Sequence, residues 1–290
     1  MTLNNSIKPK LENVLGSEIV QSHSLSGGCI SNAYKIKVKS GNSFFLKINS
    51  STKNDMFIKE AHGLLELGKA DVIKIPEVIS YDNDYILLEL IIPGSKMKNF
   101  SEDFGRKFAH LHKFNNDYFG FYEDNYIGSN PQLNIANENK IMNWTEFYFN
   151  NRILYQYKLA EKSGNSTEEL RKAISLLENK IENIVIDNGE KPSLLHGDLW
   201  GGNYLVDEDG YACLIDPAVY YGNREADLAM TKLFGGFDSK FYQAYNETYP
   251  LPDGYNYREN IYKLYHVLNH LNLFGGGYYS QAMNLINYYI

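Results

Sequence analysis

Residues 194–216 read LLHGDLWGGNYLVDEDGYACLID. Leu194 and Leu195 lead into a His196-Gly197-Asp198 turn, Asn203 stands five positions after Asp198, and Asp216 closes the apolar run Ala212-Cys213-Leu214-Ile215. Three oxygen-bearing side chains at this spacing suit the transfer of a phosphoryl group from ATP to a hydroxyl. The attacking hydroxyl must be oriented and must lose its proton, which calls for a carboxylate beside it, and Asp198 is the candidate catalytic base. Magnesium prefers hard oxygen ligands, and the Asn203 amide oxygen and the Asp216 carboxylate are the candidate pair. Residues 203–206, the Asp207-Glu208-Asp209-Gly210 turn and residues 211–215 read as a hairpin carrying both ligands on adjacent strands. A surface hairpin with solvated acids would not require H-x-D-x-x-x-x-N followed by a strand-end Asp.

Upstream, Leu11, Val14, Leu15 and Ile19 fall at helical spacing and predict a short helix leading into a sheet. Tyr34, Ile36 and Val38 then alternate with Lys35, Lys37 and Lys39 as in a strand, and Ser40-Gly41-Asn42 turns the chain into a second strand over 43–48. Gly27 and Gly28 precede these strands, where the backbone N–H groups of a kinase loop cover nucleotide phosphates. The full G-x-G-x-x-G pattern is missing, so position rather than pattern makes them candidates. Lys47 lies on the strand face opposite Phe44, Leu46 and Ile48, where its ammonium can meet α- and β-phosphate oxygens, unless that face is simply solvated. Such a lysine needs an acidic partner on a helix over the sheet. Residues 55–67, DMFIKEAHGLLEL, offer that helix with Glu60 and Glu66 competing for the role. Strands are expected over 72–76 and 85–92, the latter ending at Pro93-Gly94 as a connection between lobes.

The pattern then turns helical. Ser101 can cap a helix bearing Phe104, Phe108 and Leu111 on one face, with Glu102 and Asp103 in its first turn. Ser166 and Glu169 form a capping-box pattern before Leu170, Ile174, Leu177, Ile181 and Ile184. Glu225 and Asp227 are expected to cap and brace the helix that follows them, with Arg224 as their ionic neighbour. The intervening stretch 119–133, FGFYEDNYIGSNPQL, reads as a Gly/Asn/Pro-rich loop.

Bulk composition narrows the function classes. A chain of 290 residues with 43% hydrophobic composition can build two lobes with their own cores. A net charge of −7 argues against broad attraction to nucleic acid or anionic membrane. The N-terminal segment lacks the apolar core of a signal peptide, and no apolar run is long enough to span a bilayer. Two cysteines, Cys29 and Cys213, cannot make a disulfide framework, so a reducing, cytoplasmic setting is expected. Cys29 directly follows Gly27-Gly28 and is a candidate redox site if that loop is exposed; Cys213, in an apolar strand, should be inert. A monomer and a homodimer are both compatible with the sequence.

HGDLWGGN, together with IDPAVYYGNREADLAMTKLFGGF from Ile215 to Phe237, resembles the fructosamine (ketosamine) kinase family, within the aminoglycoside phosphotransferase and choline kinase-like group of protein-kinase-like folds. The broader group shares HGD-x-x-x-x-N and the strand-end Asp, whereas Trp200 and the DPAVYYG and READLAM runs point to ketosamine kinases; the likeness extends from about Leu25 to Tyr279. The resemblance implies an α+β, two-lobe fold. A small N-terminal lobe with an antiparallel sheet, residues 1–91, would bind the nucleotide, and a mostly helical C-terminal lobe, 92–290, would carry the catalytic and acceptor-binding groups. It implies ATP and magnesium, and phosphorylation of the sugar 3-hydroxyl of fructosamine or ribulosamine adducts on amines or proteins, a deglycation repair. It favours Glu60 as the partner of Lys47, because MFIKEAHGL resembles the family's segment, and places adenine against the backbone from Glu89 to Ile91. It makes 119–133 an acceptor loop, in which Asp124, Asn125 and Gln132 either bond sugar hydroxyls or tie the loop together. Trp200 either stacks on a sugar or anchors its loop in the core, and the resemblance favours the pocket.

Two alternatives compete. An aminoglycoside pocket should be strongly acidic, while the candidate loop offers only Glu123 and Asp124; a choline-type alcohol is the neighbouring reading. A non-catalytic nucleotide-binding protein would be expected to have lost the base or a metal ligand, and all three are present. The H-R-D, D-F-G and A-P-E set of protein kinases is absent.

Overall fold

The computed structural model describes residues 7–25, 32–48, 55–135, 143–186 and 189–290. Gly27, Gly28 and Cys29 lie outside the described residues. Helix α1, Lys8–Leu15, stops at Gly16, whose backbone is left-handed (φ 59°) and whose N–H turns back to the carbonyls of Glu12 and Asn13. The helical spacing therefore ends before Ile19, which instead opens strand β1, Ile19–Leu25. With β2 Asn32–Val38, β3 Ser43–Ile48, β4 Val78–Tyr81 and β5 Tyr85–Glu89 it forms an antiparallel sheet in the order β1-β2-β3-β5-β4. Alternation along the strands gives the sheet two apolar faces. Ile36, Leu46 and Leu87 bury one of them against Leu11 of α1. Phe45, Ile86 and Leu88 pack on the other against Phe57, Ala61 and Leu64 of helix α2, Met56–Gly68.

No strand forms over 72–76. Lys74 makes only an isolated bridge to Cys213, and its carbonyl accepts from the Leu214 N–H at 2.9 Å, so the segment fastens the sheet to the rest of the chain instead of extending it.

Helices dominate beyond β5. Helix α3, Phe100–Leu111, begins one residue before the expected cap, with Asn99 at the N-cap position. The loop over 119–133 contains a short hairpin, β6 Asn125–Ile127 and β7 Asn130–Gln132. Helix α4, Trp144–Tyr148, runs through a π-helical turn, Phe149–Leu154, into α5, Tyr155–Lys162. Helix α6, Glu168–Glu178, is capped by Thr167, whose hydroxyl accepts from the Leu170 N–H, one position after the expected Ser166, and is followed by α7, Ile181–Ile184. Two small antiparallel pairs carry the central motif. Strand β8, Ser193–Leu195, pairs with β11, Tyr220–Gly222, and β9, Tyr204–Val206, pairs with β10, Ala212–Leu214. Helices α8 Glu225–Thr231, α9 Ser239–Thr248, α10 Tyr255–Phe274 and α11 Gly277–Asn287 complete the chain.

Aromatic side chains fill much of this second core, and buried hydroxyls and indole find partners there. The Trp144 indole donates to the Tyr262 hydroxyl at 3.0 Å, and the Tyr148 hydroxyl donates to the Tyr262 carbonyl at 2.9 Å. Among the described residues no helix is long and apolar enough to cross a membrane.

Candidate active site

Strand β8 leads directly into His196, Gly197 and Asp198, and one buried carboxylate shapes the turn. Asp227 on α8 accepts the His196 N–H at 2.7 Å on one oxygen and the Gly197 N–H at 2.8 Å on the other. His112, at the C-cap of α3, reaches the same carboxylate at 3.2 Å and bonds the Tyr245 hydroxyl of α9 at 2.7 Å. Burial pushes the Asp227 carboxyl up, but His112, His196 and the Gly197 N–H outweigh it and hold the group below the usual carboxylate range. Gly197 sits at φ 81°, and a Cβ there would lie 1.9 Å from the Ala218 carbonyl oxygen, so only glycine fits. The His196 ring donates from Nε2 to the Ile215 carbonyl at 3.0 Å, which ties the turn to the strand end that presents Asp216.

Asp198 and Asn203 face each other across this turn. The Asn203 amide nitrogen donates to the Asp198 backbone carbonyl at 2.8 Å and to its carboxylate at 3.1 Å, leaving the Asn203 amide oxygen without a donor among the described residues. Burial raises the Asp198 carboxyl well above its ordinary range; the Asn203 bond opposes this, and the negative Asp216 and Asp227 add to it. The Ile215 N–H donates to the Asn203 carbonyl at 3.1 Å, which sets residue 216 beside residue 203. The hairpin thus forms as expected, with its two candidate ligands just outside the paired strands.

Asp216 has a left-handed backbone, φ 53°, unusual for a residue with a Cβ, and its carboxylate meets the Lys47 ammonium of β3. Lys47 also donates to Glu60 of α2 at 2.7 Å. Burial alone would lower the lysine, but Glu60 and Asp216 together hold it above its ordinary value, charged at any physiological pH. Glu66, the competing acid, lies elsewhere: it accepts from the Tyr221 hydroxyl at 2.8 Å and pairs with Lys69 at 2.7 Å. Lys47, Glu60, Asp198, Asn203 and Asp216 therefore converge: Glu60 and Asp216 hold the ammonium, and Asp198 stands against Asn203 within reach of the Asp216 charge. The surplus negative charge and the undonated amide oxygen fit a divalent cation with oxygen ligands.

The Glu89 side chain pairs with Lys74 at 3.2 Å and accepts the Glu77 N–H at 3.2 Å, and its own N–H goes to the Glu77 carbonyl at 2.8 Å. Ile91, two residues on, is buried, and its N–H has no partner among the described residues, as a backbone contact for adenine requires.

Three residues of the 119–133 loop make bonds that tie the loop together. Asp124 accepts the backbone N–H groups of Asn134 and Ile135 at 2.7 and 3.0 Å. The Asn125 amide donates to the Val219 carbonyl at 2.7 Å and accepts from Gln132 at 2.8 Å. Gln132 also donates to the Ala218 carbonyl at 2.9 Å and accepts from the Tyr265 hydroxyl at 2.7 Å. Both side-chain amides are buried with their bonds made within the protein. Arg152, turned inward from the π-helical segment, braces the loop end through the Leu133 carbonyl and the Asn134 side chain.

Trp200 stays at the surface beside Asp198, 39% exposed, with its ring edge-on to Phe234 at 6.0 Å. A Cβ at Gly202 would lie 2.4 Å from the indole, so that glycine lets the ring lie flat over its loop. This exposure is not that of a core anchor. The ionic pairing expected around α8 is corrected: Arg224 forks onto Glu190 at 2.7 and 3.0 Å, and Glu225 holds Arg258 at 2.6 and 2.7 Å. Asp227 braces the His196-Gly197-Asp198 turn and not the helix that carries it; an acid among the apolar residues of READLAM was its only signal in the sequence.

A strand-borne lysine paired with a helix glutamate, beside a turn and a strand end that present Asp198, Asn203 and Asp216, is the arrangement of an ATP-dependent kinase of the protein-kinase-like fold. Residues 3–290 match the family model described as fructosamine kinase, and the chain belongs to that family. It is 39% identical to the chloroplastic protein-ribulosamine 3-kinase of Arabidopsis thaliana over 284 residues, 94% of this chain and 84% of that one. A protein of Synechocystis sp. described as a probable ketoamine kinase is 37% identical over 274 residues, covering 92% and 90% of the two chains. The crystal structure of a Thermobifida fusca protein of the fructosamine-3-kinase type superposes with a TM-score of 0.88 at 29% identity over 99% of both chains. Choline kinase LicA from Streptococcus pneumoniae shares the fold alone, with a TM-score of 0.65 at 17% identity over 98% of both chains.

Proposed function

We propose that the protein transfers the γ-phosphoryl group of ATP to the sugar 3-hydroxyl of ketosamines, on free amines or on protein amines, as a deglycation step. The observation that carries this reading is the convergence of Asp198, Asn203 and Asp216 with the Lys47–Glu60 pair, in a chain whose relatives bear ketoamine and ribulosamine 3-kinase names. Lys47, fixed by Glu60, meets the nucleotide phosphates, and the Ile91 backbone faces adenine. Asn203 and Asp216 would hold magnesium, whose charge offsets that of the triphosphate. Asp198 orients the acceptor hydroxyl and takes its proton as the new oxygen–phosphorus bond forms and the bond to ADP breaks. Trp200, exposed two residues beyond the base, offers its indole face to the sugar. A cytoplasmic, reducing setting agrees with a chain of two cysteines.

The test is ATP turnover against fructosyl-, ribulosyl- and erythrulosyl-amines beside choline and an aminoglycoside, with the phosphorylated carbon assigned by NMR. Phosphate on the 3-carbon of at least one ketosamine is expected. Turnover on choline or the aminoglycoside with none on any ketosamine would overturn the reading.

A further inference from the structure

One helix carries the acid that fixes Lys47, and a polar stripe on that helix fastens it to the other lobe. Asp55, Lys59, His62 and Glu66 recur at intervals of four, three and four residues and so share one side of α2. All four find partners beyond the sheet. Asp55 accepts from the Tyr126 hydroxyl at 2.8 Å, and Glu66 from the Tyr221 hydroxyl at 2.8 Å. Between them stands Glu123, which gives one oxygen to Lys59 at 2.6 Å and the other to His62 at 2.7 Å. The side chains of Glu123 and Lys59 are 15% and 19% exposed, so this contact is screened far less than a surface ion pair. The apolar face of α2 meets Ile86 and Leu88 of the sheet, where a hydrophobic contact permits sliding and rotation that hydrogen bonds of fixed direction do not.

We propose that Glu123 is a positioning residue for nucleotide binding: by holding Lys59 and His62 it fixes the rotation of α2, and so keeps Glu60 against Lys47. The inference rests on the ATP-dependent kinase activity of the family and is independent of which acceptor is used.

Binding of ATP with magnesium, measured by calorimetric titration without acceptor, tests it. Glu123→Gln should weaken binding about 5- to 10-fold. Lys59→Met, which removes the tie from the helix side, should do the same, while Lys59→Arg should stay within about twofold of the parent. In a Glu60→Gln background the Glu123→Gln change should add less than about twofold, since its effect passes through residue 60. The acceptor KM should not move. An unchanged affinity in both Glu123→Gln and Lys59→Met, or a loss as large with Glu60 replaced as with it present, would overturn the proposal. Failure of the ketosamine reading would leave this titration untouched. If Glu123→Gln does not fold, the Lys59→Met and Lys59→Arg pair decides it in the same way.

Discussion

Asp198 is kept where its charge is unwelcome. Its carboxyl is raised by burial and by the charges of Asp216 and Asp227, so the folded pKa lies above the unfolded one. As pH rises through the unfolded value, the folded state's resistance to ionising this group costs stability; the penalty fades as pH falls back towards the unfolded value. Replacing it with the near-isosteric Asn should therefore separate stability from rate. Asp198→Asn is expected to raise Tm by about 1–3 °C and to lower turnover about 10²- to 10⁴-fold, with ATP affinity within a few-fold of the parent. A variant with a lower Tm and near-normal turnover would remove both roles from this carboxylate. The meeting of Asp198, Asn203 and Asp216 was legible in the sequence because few other uses require their spacing. Asn125 and Gln132 were not, because binding a sugar and closing a loop need the same amide chemistry. What decided between the two was a set of partners supplied from far along the chain, the Val219 and Ala218 carbonyls and the Tyr265 hydroxyl.

From α8, the Asp227 carboxylate holds the backbone of the His196-Gly197-Asp198 turn. An amide at position 227 would offer one acceptor oxygen where two backbone N–H groups and His112 now meet a carboxylate, so Asp227→Asn should destabilise the protein by about 2–4 kcal/mol. The sign of its pH dependence follows from the lowered carboxyl. The ionic part of the anchor is present above the unfolded pKa and is lost as pH falls through the folded value, so parent and variant should converge in acid. Urea denaturation over a pH series measures the gap, and a gap constant from neutral to strongly acidic pH would mean that charge has no part in it. Local sequence placed Arg224, Glu225 and Asp227 together and suggested mutual pairing. The helix instead points each residue a different way, to Glu190, Arg258 and the turn, because consecutive positions project about 100° apart. Boundaries failed for similar reasons: Gly16 ends α1 through its left-handed backbone, a feature that apolar periodicity does not register.

Stability should be spread unevenly over the molecule as a whole. Along β1 only Ile19 is buried, and the strand lies at the edge of the sheet. In contrast, α10 buries Ile261, Tyr262, Leu264, Tyr265, Val267 and Leu268 in the large C-terminal core. Amide hydrogen exchange should therefore be fastest in β1 among the strands of the sheet and slowest in α10. Equal protection of the two would indicate a single cooperative unit in place of this gradient. The two-lobe plan was readable in advance, since strand alternation gives way to helical spacing after Pro93. The ties between lobes were not, because each joins residues distant in sequence, as Glu123 does with Lys59 and His62. Cys213 illustrates how such packing sets chemistry at a distance from the site. It has no exposed surface, and burial pushes its thiol up to about 12, so it is neither reachable nor nucleophilic in the native state. A maleimide dye added to the folded enzyme should therefore leave position 213 unmodified. Dye uptake at 213 would then clock the opening of the β9–β10 pair without any engineered residue.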